Sequence, residues 1–441
     1  MSNLISLKDF IHRQISGDWG KNLADEIYNH EVYCIRGADI NAVNEGNYND
    51  LPIRYIEAKA KTKFLEEGNI IIEVSGGSPT QSTGRVCYVR GKSINIICSN
   101  FCRAYEIKKE HSPKFFYYLV RNIYNSNIFF NFESKTTGIK NLLIESAFEN
   151  IKVPQIDFND QKSIAKVLSD LDAKIELNNR INRELEAMAK TLYDYWFVQF
   201  DFPDANGRPY KSSGGKMVYN AELKREIPEG WEVKKLIEIE YNIITGKTPS
   251  TKVLEYFGGD IPFITIDDIR GQLFILHAER TLSILGADSQ STKYLHPGDI
   301  CVSCIGTIGV IGIVSKLSQT NQQINSIAVK NSYNRYFLLN ALKNYFDFNV
   351  AAKKGAVLSN MNKAEFSDIP ILDSRIDVKE EFNKIIEPLY NKIEINLKQN
   401  QHLTALRDWL LPMLMNGQVT VKEAEERLSM AAEPSVEYKK G

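Results

Sequence analysis

The chain has 441 residues, enough for two to four structural units at roughly 150 residues each. A hydrophobic content of 43% and a charged content of 25% are ordinary for a globular chain that buries a core in each unit. Fifty-four Lys and Arg against 55 Asp and Glu leave a net charge of −1, which excludes attachment to nucleic acid through bulk positive charge but not through local patches.

Six irregularly spaced cysteines make no disulfide framework, so a reducing cytoplasm is the expected compartment. The opening MSNLISLKDFIHRQ lacks an apolar signal core, and no apolar run reaches the ~18 residues of a membrane span, so no membrane is expected. Nucleotide and metallopeptidase signatures are missing: no GxxxxGK phosphate loop, GxGxxG, HExxH or GxSxG occurs. Nor are two prolines ever adjacent, which removes the Asn/Asp-Pro-Pro-aromatic loop of amino-methyltransferases. These absences predict a chain that binds rather than one that reacts.

In chain order, residues 68–74 (GNIIIEV) predict a short strand leading into a Gly-rich loop, Ser75-Gly-Gly-Ser-Pro-Thr. Residues 115–124 predict a helix, and residues 164–192 a much longer one with apolar positions alternating threes and fours. Residues 201–215 (DFPDANGRPYKSSGG) are dense in turn formers and predict a linker. A second strand is predicted at 299–305 (DICVSCI), followed by the Gly-rich Ile305-Gly-Thr-Ile-Gly. Cys301 and Cys304 have zinc-ligand spacing, with Cys98 and Cys102 as a conceivable second pair. They lie within an apolar strand and no histidine cluster accompanies them, so no metal is expected. A helix at 336–346, a second long helix from about 375 and a polar tail from Lys422, frayed after a short helix, complete the reading.

The sequence is written twice. At a shift of 218, ten residues between Lys166 and Leu192, among them Leu171, Ile175, Asn178 and Asn182, reappear between Lys384 and Leu410, as Leu389, Ile393, Asn396 and Asn400. Phe148 and Ile151 match Phe366 and Ile369 at the same shift, Gly68, Ile70 and Gly76 match Gly298, Ile300 and Gly306 at 230, and Asp39-Ile40 matches Asp268-Ile269 at 229. With Leu168 at heptad position a, Leu171 falls at d, Ile175 at a, Asn178 at d and Asn182 at a. Ile386, Leu389, Ile393, Asn396 and Asn400 repeat that register. Asparagines in an apolar seam cost stability unless they meet polar partners, so the repeated pair predicts two helices packed together with Asn178, Asn182, Asn396 and Asn400 fixing register. Two ordinary core helices are the alternative. Pro388 is expected to kink or start the second helix.

Charge is segregated. Ten Lys and Arg against three Glu between Arg85 and Lys140 leave +7, and seven Lys and Arg against one Asp between Ser303 and Lys363 leave +6. The two windows correspond across the repeat and are rich in amides, hydroxyls and aromatics. Lys and Arg position phosphates, whereas Asn, Gln, Ser, Thr and Arg read base edges. The candidate DNA-binding residues are Arg85, Arg103, Lys135 and Lys140 in the first window, and Asn321, Gln322, Lys353, Lys354 and Asn360 in the second. A solvated charged face, plain turns at the Gly-rich loops and ordinary loop amides are the competing readings.

Residues 164–203, containing LSDLDAKIELNNRINRELEAMAKTLYDYWFVQFDFP, resemble the central conserved region of type I restriction–modification specificity subunits. IPEGWE at Ile227, GKTPS at Gly246, IPFITIDDI at Ile261, PGDICVS at Pro297 and IGTIG at Ile305 resemble landmarks of that family's second variable domain. LRDWLLPMLMNGQV at Leu406 resembles its C-terminal conserved helix. In the first half GDWGKNL at Gly17 loosely resembles IPEGWE, and no GKTPS counterpart is visible.

The resemblance implies an α+β architecture: two mixed α/β target-recognition domains separated by two long antiparallel conserved helices, a coiled-coil-like spacer in pseudo-twofold repeat. The segments are then 1–155 (first recognition domain), 156–200 (central helix), 201–227 (linker), 228–374 (second recognition domain), 375–418 (C-terminal helix) and 419–441 (polar tail). Each domain is implied to read one half of a bipartite, gapped, asymmetric site in double-stranded DNA. Two modification subunits carrying S-adenosylmethionine would dock on the helices, and restriction subunits using ATP and Mg would join them. This chain would itself hold no cofactor and no catalytic residue. A helix of about 35 residues is ~50 Å long, enough to set the ~34–36 Å between half-sites one turn apart. A catalytic methyltransferase with unusual motifs, a pure coiled-coil scaffold, and a methylation complex lacking restriction are the alternatives.

Overall fold

The computed structural model describes residues 3–76, 81–91, 95–134, 140–352 and 360–432. The chain divides into two compact units, Met1–Asn178 with Gln399–Gly441, and Asn179–Lys398. The division falls inside the two long helices, Phe158–Tyr193 and Ile376–Met415, so each helix begins in one unit and ends in the other.

The first unit is built on a four-stranded antiparallel sheet in the order Ile11–Ser16, Cys102–Ile107, Ile70–Glu73, Val86–Tyr88. The buried run Ile70, Ile71 and Ile72 packs two faces at once: Ile70 and Ile72 meet helix Pro113–Asn125, while Ile71 joins Ile35, Ile40, Cys87 and Ala104. Helix Pro113–Asn125 starts where Ser112 caps the Phe115 N–H and Pro113 takes the first turn, where its missing donor costs nothing. Its aromatic run Phe115–Tyr118 is buried together with Ile164, Leu168 and Leu171 of the central helix and Leu403, Leu410 and Leu414 of the C-terminal helix. A smaller sheet orders Ile53–Glu57, Tyr28–Ile35, Ile96–Cys98.

The second unit repeats that plan. Its main sheet runs Ile243–Thr245, Ile324–Ile327, Ile300–Ser303, Ile311–Val314, with Phe274–Ile275 added at the far edge. Helix Ser332–Ala352 packs on it through Tyr336, Phe337, Leu338 and Leu342, beside Tyr193 of the central helix, Phe197 of the π-helical turn Asp194–Val198 that follows it, and Phe382 and Tyr390 of the C-terminal helix. Matched residues make matched bonds. Leu7 N–H reaches Ile151 O as Leu236 N–H reaches Ile369 O. The Asp39 carboxylate accepts from Arg36 N–H at 2.9 Å as Asp268 accepts from Thr265 N–H at 2.7 Å. Gly68 and Gly298 sit at φ +95° and +96°, a region that favours glycine, ahead of equivalent strands.

The predicted strands at 68–74 and 299–305 are therefore Ile70–Glu73 and Ile300–Ser303, and the predicted short helices are Pro113–Asn125 and Ser332–Ala352. The two asparagine pairs lie where the heptads put them. Within the first unit Asn178 Nδ2 donates to Asn400 Oδ1 at 2.8 Å and to Gln399 Oε1 at 2.9 Å. Within the second, Asn396 Nδ2 donates to Asn182 Oδ1 at 2.8 Å. The helices run antiparallel in each unit: Asp172 meets Arg407 and Asn178 meets Asn400 in one, Asn182 meets Asn396 and Tyr193 meets Phe382 in the other.

Four expectations are corrected. Helix Ile376–Met415 does not start at Pro388 but twelve residues before it, and it continues past it with Ile386, Tyr390 and Ile393 buried in the core. The linker at 201–227 is folded: Phe200 and Phe202 are buried against Trp231, Asp204 ties Asn206 and Arg208, and Met217–Asn220 pairs with Arg225–Pro228. The tail from Lys422 is not frayed throughout; Val421–Ala432 is a helix, opened by reciprocal Thr420–Glu423 bonds and anchored by buried Ala424. Finally, GDWGKNL is not the counterpart of IPEGWE. Gly17 follows the edge strand Ile11–Ser16 as Gly246 follows Ile243–Thr245, so it is the first residue of the missing GKTPS equivalent. The counterpart of strand Glu232–Lys235 is Leu4–Ser6, each pairing with the strand that leads into its long helix.

Candidate nucleic-acid interface

One end of each main sheet gathers the candidate side chains. In the second unit, Gly246 leaves its strand so close to the neighbouring chain that an added Cβ would lie 2.1 Å from Asn321 O. Lys247 N–H then bonds Thr320 O, and Thr248 Oγ1 donates to Gln322 Oε1 at 2.7 Å. Asn321 shapes the turn, its Oδ1 accepting from Gln323 N–H and its Nδ2 donating to Gln323 Oε1. Gln323 O accepts from Cys304 N–H, and Cys304 O from Met361 N–H, which brings Asn360 beside Ile305. Asn321, Gln322 and Asn360 thus share one rim with the Gly-rich Ile305–Gly309 turn, which Ser303 Oγ closes by donating to Thr307 O and accepting from Val310 N–H.

The first unit builds the same rim from different residues. An added Cβ at Gly17 would lie 1.9 Å from Ser99 O, Val74 N–H bonds Phe101 O, and Leu142 N–H bonds Val74 O. Arg103 lies at this end, its Nη1 donating to Asn100 O and Cys102 O. Lys140 is 3.3 Å from Glu133, which also accepts from Thr83 N–H. Arg85 is turned inward: its guanidinium forks onto the Glu73 carboxylate at 2.6 and 2.8 Å, with Glu73 only 2% exposed. Those bonds hold the guanidinium pKa above its ordinary value. Lys135, Lys353 and Lys354 lie outside the described residues.

Sequence reasoning missed three residues at this rim. Trp19, two positions after Gly17, corresponds to Thr248, two after Gly246. Its ring lies 4.0 Å from the buried Arg54 guanidinium, which also donates to Trp19 O at 2.7 Å. Asp18 beside it is pushed up by burial, but the Lys63 ammonium at 2.8 Å and the Gly20 N–H outweigh that and hold its carboxyl below the usual range. Phe101 is exposed at the turn. The matching glycines were the available signal.

All six cysteines are buried thiols, with Cys301 and Cys304 facing different core clusters and burial pushing Cys301 up to about 12. Among the described residues no group of His, Cys, Asp and Glu is placed to hold a metal, and no helix is long and apolar enough to cross a membrane.

The sequence model of the type I restriction modification DNA specificity domain matches residues 21–187 and 228–405, once for each repeat. The chain is 30% identical over 451 residues to the type I restriction enzyme HindI specificity subunit of Haemophilus influenzae, covering 90% of this chain and 93% of that protein. It is 26% identical over 282 residues to the MjaIX specificity subunit of Methanocaldococcus jannaschii, covering 63% of each. The fold resembles that of a type I restriction–modification S subunit from M. genitalium, with a TM-score of 0.54 at 16% identity over 94% of this chain and 96% of that one. The chain belongs to the family of type I restriction–modification specificity subunits.

Proposed function

We propose that each unit reads one half of a bipartite, gapped, asymmetric sequence in double-stranded DNA, and that the two long helices set the gap and dock two modification subunits. The observation that carries this reading is the repeated rim: two diverged copies keep one backbone geometry at one end of the sheet while exchanging the side chains it displays. That is what a pair of readers with different targets requires, since side chains at a fixed backbone choose the base edge. As a specificity subunit the chain supplies recognition rather than catalysis. S-adenosylmethionine belongs on the modification subunits, and ATP and Mg on restriction subunits that join the complex, all in the cytoplasm.

The test is modification-sensitive sequencing of the host genome with the gene intact and deleted. Loss of N6-methyladenine from one two-part motif with a fixed gap is the expected result. An unchanged methylome, together with failure to co-purify a methyltransferase, would overturn the reading.

A further inference from the structure

The two rims differ in chemistry, and the difference assigns a base preference. At the second rim the side chains are mostly amides and hydroxyls: Gln322 and Asn360 are exposed and Thr248 partly buried, with Lys247 exposed beside them. At the first, the position of Thr248 is taken by Trp19, 36% exposed, and that of Gln323 by Phe101, 54% exposed. Phe101 and Gln323 are equivalent by their bonds, since Phe101 O accepts from Val74 N–H and Gln323 O from Cys304 N–H, each at 2.8 Å. Trp19 is held rather than loose. Its carbonyl and one ring face are fixed by Arg54, and the Asp18 N–H before it bonds Cys98 O at 2.8 Å.

Resting on the reading above, we propose that Trp19 and Phe101 contact bases in the first half-site and select thymine through its 5-methyl group, with Arg103 beside them on phosphate. Apart from the single indole N–H of Trp19, these rings carry no donor or acceptor for a base edge, and the apolar group that B-DNA shows in its major groove is the thymine methyl. Exposing the Phe101 ring and the free face of Trp19 otherwise costs apolar hydration. Arg103 and Lys140 at this end of the sheet supply positive charge, which favours DNA over an apolar protein partner as the occupant.

The experiment uses the full chain with the modification subunit it co-purifies with, and duplexes carrying the methylated motif. Each thymine is replaced in turn by deoxyuridine, which removes the methyl alone. We expect binding to weaken about four-fold per contacted methyl in one half-site, the equivalent of ~0.8 kcal/mol. The variants Trp19→Thr and Phe101→Gln, which install the residues of the second rim, are expected to lose that sensitivity. A half-site without thymine, uniform tolerance of deoxyuridine by the unaltered chain, or equal sensitivity in the variants would overturn the proposal. The unaltered chain decides it even if a variant fails to fold. Absence of any two-part motif would instead overturn the function on which it rests.

Discussion

Asn396 donates from Nδ2 to Asn182 Oδ1 at 2.8 Å inside a seam whose neighbouring positions are apolar, with Asn396 1% and Asn182 6% exposed. Asn178 and Asn400 make the same bond in the other unit, four residues earlier in one helix and four later in the other. A slide of one helix by a single residue would set Asn182 against Ile395 or Leu397, so this buried rung specifies register as a wholly apolar seam could not.

That geometry separates single from double replacement. Asn396→Leu strands the buried Asn182 amide and should destabilise the chain by about 1–3 kcal/mol, whereas the Asn182→Leu, Asn396→Leu pair should be near neutral or stabilising. Denaturant unfolding of the four proteins in a double-mutant cycle measures the difference. In the assembled complex, Asn178→Leu with Asn396→Leu should make the gap of the methylated motif heterogeneous. A single unchanged gap would count against the register role.

The helices and their asparagines were legible because a heptad period survives divergence: each seam residue has one neighbour type to satisfy. The first rim was less legible. Of GKTPS only Gly17 persists, because what both copies require there is a residue without Cβ beside Ser99 O or Asn321 O, not a particular side chain. Arg85 looked available because a charge count along a window does not say that Glu73, twelve residues upstream, faces it across adjacent strands. The extent of the tail helix was hidden by its polarity, although Thr420 followed three residues later by Glu423 is a capping signature.

Arg85 and Arg103 should therefore behave differently. Arg85→Ala leaves the buried Glu73 charge uncompensated and should lower stability by about 3–5 kcal/mol while leaving the salt slope of DNA binding unchanged. Arg103, whose guanidinium among the described residues bonds backbone carbonyls alone, should on replacement by Ala leave unfolding nearly unchanged and reduce the salt slope by about one. Titrations at several salt concentrations, run beside denaturant melts, distinguish the two.

Core packing predicts an asymmetry between equivalent seam positions. Leu171 is fully buried among Phe116, Leu168 and Leu410, whereas its counterpart Leu389 is only partly buried. Leu171→Ala should cost about 2–5 kcal/mol and Leu389→Ala clearly less, because a partly buried site loses less transfer free energy and leaves a smaller cavity. Equal losses in urea unfolding would show that the two seams pack alike.

The pH dependence of the first unit should carry the signature of His111. Ser112 N–H donates to Gln161 Oε1 at 2.9 Å, which turns Gln161 Nε2 toward His111 Nδ1 at 3.1 Å and requires that nitrogen to be unprotonated. Burial is the main cause lowering the ring's pKa below 6.5, with Lys108 adding to it and Glu110 opposing. The unfolded chain therefore binds the proton more readily than the folded one. Stability from this site is complete above about pH 6.5 and declines as pH falls below it, a window lying above the range where carboxylates titrate. Comparing melting temperature against pH for the unaltered chain and His111→Gln, the variant should show a shallower decline between about pH 6.5 and 5. Parallel slopes would mean that the ring is not held neutral by this arrangement.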